Sequence, residues 1–212
     1  MTWKRKERYW YHSGHLLSTA ITYLLFRPKI IGRDNIPREG AVLIAPNHRS
    51  MLDIPCLGCA TFRPLRFMAK KELFTNKFVK WYFETNGSFS VDKDASPQAL
   101  KKALAVLRDD DALVIFPEGT RNKKSTLSEL AGGAGFLAAK SSVPIVPVGI
   151  AGLDKLIKWK YCLPLPTRVK IVIGEPITSH VNQEGKTSEI VNALLPVLEE
   201  RIQKLYEDAL TL

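Results

Sequence analysis

Short apolar runs alternate with amphipathic helical segments along most of the chain. The runs with the length and β-branched content of strands are Lys29–Gly32, Ala41–Ala45, Arg66–Ala69, Ser88–Val91, Ala112–Phe116, Pro144–Ile150 and Val169–Ile173. The segments predicted as helices are Met51–Ala60, 71–84, one that begins at Ser96-Pro97, Gly132–Ala139 and Ser188–Asp208. Pro196 should kink the last of these or mark its start. Strands that alternate with helices predict an α/β domain with a single, mostly buried sheet flanked by helices.

The N-terminal segment has a different pattern. Residues Tyr9–Phe26 carry no formal charge, but polar side chains interrupt them throughout. Apolar residues recur at helical spacing at Leu17, Ile21, Leu24 and Leu25. We therefore predict an N-terminal amphipathic helix that lies in a membrane interface over residues 1–27, followed by an α/β domain over 28–212. The alternative is a helix that packs on its own domain.

The net charge is concentrated in the same part of the chain. The 212 residues have 31 Lys and Arg against 21 Asp and Glu, and residues 1–80 carry the whole excess of +10. Of the 19 aromatic residues, 13 lie within the first 83 positions. Basic and aromatic residues together suit an anionic membrane surface, and they also suit nucleic acid. An apolar fraction of 45% excludes disorder as the main state, and no apolar run is long enough to predict a membrane-spanning helix.

The three cysteines, at positions 56, 59 and 162, are too few for a disulfide framework in a chain of this length. Cys56 and Cys59 have the spacing of redox and zinc sites, but a zinc site needs about four ligands. We therefore predict that they are small core residues and that the protein has no metal site. The basic start lacks the apolar core and cleavage site of a secretory signal, so we expect a protein that is cytoplasmic or faces the cytoplasm.

Two polar stretches follow buried strands and contain the candidate chemistry. The first, Asn47-His48-Arg49-Ser50-Met51-Leu52-Asp53, has its histidine and aspartate five positions apart, so they cannot share one face of a helix. They can meet if His48 lies in the turn before a helix and Asp53 in its first turns. A carboxylate on one imidazole nitrogen would then leave the other to accept a proton from a hydroxyl group. The alternative is a histidine with a structural role.

The second stretch is Phe116-Pro117-Glu118-Gly119-Thr120-Arg121. Proline and glycine favour a tight turn that displays the three polar side chains at the sheet edge, where α/β proteins form ligand sites. The planar guanidinium group of Arg121 matches a phosphate.

In this order, the two stretches resemble motifs of the glycerolipid acyltransferase family, which includes the 1-acyl-sn-glycerol-3-phosphate acyltransferases. Two further segments, Gly87–Lys93 and Val143–Ile150, are similar to the second and fourth motifs of that family. Lys93 stands where the family usually has arginine, and Ala131 where many members have a basic residue. Both departures leave the identity of the acceptor headgroup open.

The resemblance implies that His48 is the general base on an acceptor hydroxyl, that Asp53 orients it, and that no covalent acyl-enzyme forms. It implies that Glu118, Gly119, Thr120 and Arg121 bind the phosphate and glycerol of a lysophosphatidate-like acceptor. Further phosphate ligands are predicted at Lys70, Lys71 and Lys93. The donor would be acyl-CoA or acyl carrier protein, used as a co-substrate with no other cofactor.

Other interpretations remain open at this point. The same chemistry could act on a lysophospholipid, an ornithine lipid or a glycolipid. From another class, the chain could be a basic module that binds anionic lipid or nucleic acid without catalysis. That module would account for the charge but not for the clustered polar residues at two strand ends, and no recognisable nucleic-acid motif is present. We therefore expect a peripheral enzyme on the cytoplasmic face of the cell membrane, with no nucleic-acid partner.

Overall fold

The structure is a computed structural model that describes residues 5–85, 87–91, 96–122, 124, 126–153, 168–178 and 186–212. Its helices are α1 (Arg5–Phe26), α2 (Asp53–Gly58), α3 (Lys77–Thr85), α4 (Pro97–Arg108), α5 (Gly133–Ser141) and α6 (Thr187–Thr211). Its strands are β1 (Lys29–Ile31), β2 (Val42–Pro46), β3 (Leu65–Lys70), β4 (Phe89–Val91), β5 (Ala112–Val114), β6 (Ile145–Ala151) and β7 (Lys170–Ile173). The predicted α/β class is confirmed.

The strands described by the structure form one seven-stranded sheet in the order β1-β7-β6-β2-β5-β3-β4. Neighbours run parallel except for β6 and β7, which are antiparallel. Because β2, β5 and β3 are parallel neighbours, their carboxyl ends meet at one edge of the sheet. The two polar stretches follow β2 and β5, so this topology places them side by side.

Strands β2 and β6 lie in the middle of the sheet, and every residue of both is buried. Continuous apolar runs are expected where helices cover both faces of parallel strands. One face packs against α4, α5 and α6 through Leu107, Leu137 and Leu198. The other packs against α2 and α3 through Leu57 and Phe83. This double covering makes the sheet a rigid support for the loops at its edge.

Two predictions about the helices need correction beyond small shifts of their ends. The segment 71–84, predicted as one helix, is a 3₁₀ helix over Lys71–Thr75 followed by α3. Between them Asn76 is extended, and its side-chain oxygen accepts the main-chain N–H of Val79 at 3.2 Å. Asparagine in this position caps a new helix, which divides the apolar run in two. Pro196 lies inside α6, so the alternative that it marks the start of that helix is wrong.

Helix α1 presents several large apolar side chains to solvent. Leu16, Leu17 and Leu24 are 67%, 59% and 75% exposed. The opposite face packs on the domain with the buried Tyr11, Thr22 and Phe26. A helix that only packed on its own domain would bury its apolar face instead. Contact with a membrane stays a prediction, as does the division at residue 27, and no described helix is both long and apolar enough to cross a bilayer.

Candidate active site

Asn47 fixes the turn after β2 to the neighbouring strand β6. Its side chain is fully buried, donates to the carbonyl of Ile150 at 3.0 Å and accepts the N–H of Ile150 at 2.6 Å. Its own N–H donates to the carbonyl of Val148 at 3.2 Å. The amide group of asparagine has the donor and acceptor of a peptide bond, so it extends the pairing of the two strands. The polar turn therefore begins from a rigid point.

The structure brings His48 and Asp53 together. His48 lies in the turn and Asp53 begins α2, with Nδ1 and Oδ2 2.8 Å apart. The same Oδ2 accepts the main-chain N–H groups of Arg49 and Ser50 at 2.7 and 2.8 Å. Asp53 is fully buried, whereas the His48 side chain is 13% exposed. A carboxylate on Nδ1 assigns the proton to that nitrogen and leaves Nε2 as the acceptor.

Phe116, the first residue of the second stretch, holds the imidazole from another side. Its ring stacks on that of His48 with centroids 3.9 Å apart and planes inclined by 27°. The bond to Asp53 restrains the ring in its own plane, and the stack restrains it perpendicular to that plane. The orientation of Nε2 therefore depends on both polar stretches.

The second stretch turns at Gly119 and divides its side chains between two environments. Gly119 has a φ of +65°, in the left-handed region that favours glycine, and its N–H donates to the carbonyl of Phe116 at 3.0 Å. Thr120 and Arg121 are exposed and line a cavity together with Gly119. Glu118 is only 6% exposed and lies behind them.

The carboxylate of Glu118 binds other parts of the protein. Its Oε1 accepts the main-chain N–H of His48 at 2.9 Å. Its Oε2 accepts the side-chain amide of Asn122 at 2.7 Å and the main-chain N–H of Ser128 at 3.0 Å. Both oxygens are thus engaged, although the sequence predicted this residue as a ligand of the acceptor.

A cavity of about 860 Å³ opens at this edge of the sheet. Its polar lining includes His48, Ser50, Lys70, Thr120 and Arg121. Its apolar lining includes Met51, Ile54, Met68, Leu73 and Ile115. This combination suits a ligand that has both an anionic group and a hydrocarbon chain.

The three lysines predicted as phosphate ligands differ in their position relative to the cavity. Lys70, at the end of β3, is exposed and lines the cavity. Lys71 begins the following 3₁₀ helix and is exposed, but it is not part of the cavity lining. Lys93 lies outside the described residues.

Sequence reasoning missed two residues that support the site. Asn122 follows the second stretch directly, and its N–H donates to the carbonyl of His48 at 2.9 Å. Arg49 is 1% exposed, with its guanidinium carbon 4.5 Å from the ring centroid of Tyr206 in α6. It also donates to the carbonyl of Asn122 at 3.3 Å. Because Asn122 lies directly beside the motif, the sequence could have indicated its role. Nothing in the sequence indicated the contact between Arg49 and Tyr206.

Cys56 and Cys59 are free thiols, and both are buried. Burial raises the pKa of the Cys56 thiol well above its ordinary value, with smaller contributions from Cys59 and Asp53. Cys162 lies outside the described residues. Within the part of the chain that the structure describes, no three His, Cys, Asp or Glu side chains are grouped so that they could hold a metal ion.

An α/β sheet with polar strand-end loops around a ligand-sized cavity is typical of an enzyme domain. The family model described as Acyltransferase matches residues 27–151, so the chain belongs to the acyltransferase family. This match confirms the resemblance to acyltransferases that the sequence motifs indicated.

Several of the relatives that match are 1-acyl-sn-glycerol-3-phosphate acyltransferases. That of Bacillus subtilis (strain 168) is 28% identical over 182 residues, which are 84% of this chain and 87% of the relative. That of Streptococcus pneumoniae is 38% identical over 165 residues, covering 72% of this chain and 58% of the relative. The chain spans about half of the Saccharomyces cerevisiae relative, 46%, at 35% identity. Among solved structures, the 1-acyl-sn-glycerophosphate acyltransferase of Thermotoga maritima superposes with a TM-score of 0.77 at 25% identity, over 97% of this chain and 84% of its own.

Proposed function

We propose that the protein transfers a fatty acyl group from an acyl thioester to the hydroxyl of lysophosphatidate, which makes phosphatidate. The observation that supports this most directly is the contact between His48 and the buried Asp53 at a cavity with basic and apolar lining. We infer that the acceptor is lysophosphatidate from the names of the relatives.

In this mechanism Nε2 of His48 takes the proton of the acceptor hydroxyl as its oxygen attacks the thioester carbonyl. The Asp53 carboxylate stabilises the imidazolium that forms. When the tetrahedral intermediate collapses, the carbon–sulfur bond breaks and the imidazolium returns the proton to the departing thiolate. The products are an ester and a free thiol, and no acyl-enzyme forms.

Arg121 and Lys70 are the proposed phosphate ligands, because both are basic and line the same cavity as His48. Gly119 and Thr120 would bind the glycerol part of the acceptor. Lys71 and Lys93 remain proposed ligands on the sequence alone, because they lie at a strand end and in the second motif. The donor is acyl-CoA or acyl carrier protein, and no other cofactor is required.

The protein would meet these substrates at an anionic membrane surface, on the cytoplasmic face. Support comes from the exposed leucines of α1 and from the excess of +10 in residues 1–80. Exposed apolar side chains next to basic residues favour an interfacial position of the helix, and a membrane explains them better than nucleic acid does.

The test is thiol release from acyl-CoA in the presence of lysophosphatidate. His48→Ala should lower the rate by about 10²- to 10⁴-fold, the contribution of a general base. His15→Ala is the matched control, because this histidine lies on α1 next to Tyr11, and it should keep the wild-type rate. Equal rates for wild type and His48→Ala would exclude the mechanism.

The acceptor is tested separately, because the same chemistry could act on another lipid. Arg121→Ala should raise KM for lysophosphatidate about 10- to 100-fold, the effect of a lost charge-assisted hydrogen bond, and leave KM for monoacylglycerol unchanged. Arg108→Ala, on the exposed end of α4, is the control. Equal losses with both acceptors would argue against phosphate recognition by Arg121. No thiol release with any acceptor would favour a non-catalytic lipid-binding module.

A further inference from the structure

The main chain of His48 is held on both sides by the loop that follows β5. Its N–H donates to Glu118 Oε1 at 2.9 Å, and its carbonyl accepts the N–H of Asn122 at 2.9 Å. The catalytic pair itself comes from the loop after β2. The two loops are therefore joined at the residue whose side chain is the proposed base.

The side chains of Glu118 and Asn122 are built into this connection. Each is 6% exposed, and they bind each other at 2.7 Å. Glu118 also accepts the N–H of Ser128 at 3.0 Å, while Asn122 donates to the carbonyl of Thr126 at 2.7 Å. Three N–H donors thus meet one buried carboxylate, which does not line the cavity. A substrate in the cavity would therefore not contact this carboxylate.

We infer that Glu118 and Asn122 are positioning residues that act through the main chain of His48, and that Glu118 does not bind the acceptor. The inference rests on the proposed role of His48 as the base. Phe116 and Asp53 orient the imidazole, and Asp53 also holds the main-chain N–H groups of Arg49 and Ser50. The bonds from Glu118 and Asn122 are made to the N–H and the carbonyl of His48 itself, so they restrain its Cα directly. A displacement of about 1 Å can lower a rate about 100-fold.

Glu118→Gln is the decisive variant. It keeps the size of the side chain but replaces one acceptor oxygen with an NH₂ group. Because three donors converge on this group, at least one of them must then face another donor. We expect kcat to fall about 10- to 100-fold while KM for lysophosphatidate stays within about two-fold. Asn122→Ala should lower kcat in the same way, and the double variant should lose less than the product of the two factors.

Asp111→Asn is the matched control. It makes the same carboxylate-to-amide change in an ion pair with Arg66, at 2.6 Å, before β5 rather than after it. It should lower the melting temperature without changing kcat. All rates are measured well below the melting temperature and expressed per folded molecule, so that a loss of stability alone does not count as a loss of kcat.

Three outcomes would overturn the inference. A raised KM for lysophosphatidate with unchanged kcat in Glu118→Gln would make Glu118 an acceptor ligand. Wild-type kcat in both Glu118→Gln and Asn122→Ala would remove the positioning role. An equal loss of kcat in Asp111→Asn would show a general effect of destabilisation. Wild-type activity of His48→Ala would instead contradict the proposed function itself, so the two failures are distinguishable.

Discussion

Replacing Leu17 and Leu24 with serine should detach the protein from lipid vesicles. The two side chains are 59% and 75% exposed on the outward face of α1, so neither change creates a cavity in the core. Full burial of a leucine stabilises by about 1.5–3 kcal/mol relative to full exposure. Scaled by the exposed fractions, each leucine contributes about 1–2 kcal/mol to membrane transfer, and the pair about 2–4 kcal/mol. That corresponds to a decrease of about 30- to 1000-fold in the partition coefficient.

The assay is co-sedimentation with vesicles of phosphatidylcholine and phosphatidylglycerol at low salt. The matched control replaces Val197 and Leu210 with serine, since these side chains of α6 are exposed to a similar degree, 43% and 50%. The control should bind as wild type does. Unchanged sedimentation of the α1 variant would refute the membrane role of this face. Residues 73–83 would then be the next candidate for the membrane contact. Raising the salt concentration should weaken the remaining binding, because screening reduces the attraction between basic residues and anionic lipid.

Three further predictions follow from the buried contacts. Asp53→Asn should lower kcat at least 100-fold, measured by thiol release, because a neutral amide cannot stabilise the imidazolium that forms on His48. Gly149→Ala should lower the free energy of unfolding by about 3 kcal/mol in urea denaturation, since its Cβ would lie 2.2 Å from the main chain of Leu205. The free energy of unfolding should also fall as pH rises above about 9, because Cys56 stays protonated when folded and ionises only in the unfolded chain. Cys56→Ala should reduce that slope, and an unchanged slope would contradict the assignment.

The strand positions could be predicted because buried strands are continuous apolar runs. The predicted Ala41–Ala45 and Pro144–Ile150 differ by one residue at each end from β2 and β6. The order of the strands could not be predicted, since β1 pairs with β7 across most of the chain and no local pattern encodes that pairing. The break at Asn76 was missed because a capping hydrogen bond competed with an apolar run that continued past it.

Within the candidate site, local geometry was enough to bring His48 and Asp53 together, because a turn followed by a first helical turn places them within reach. It was not enough to separate Glu118 from Arg121. Both are polar residues of one short turn, and only the turn at Gly119 and the donors behind it place one inside the protein and the other at the cavity. Arg49 was missed for a related reason, since its ring contact comes from the distant helix α6.

By itself, the sequence determined the α/β class, the polar stretches at two strand ends and the family to which the chain belongs. These depend on short-range patterns, namely apolar periodicity, turn residues and motif spacing. Only the tertiary structure decided that Leu16, Leu17 and Leu24 face outward and that Glu118 binds the main chain of His48. The physical reason is that burial and hydrogen-bond partners depend on which distant segments pack together, and a residue type alone does not specify its neighbours.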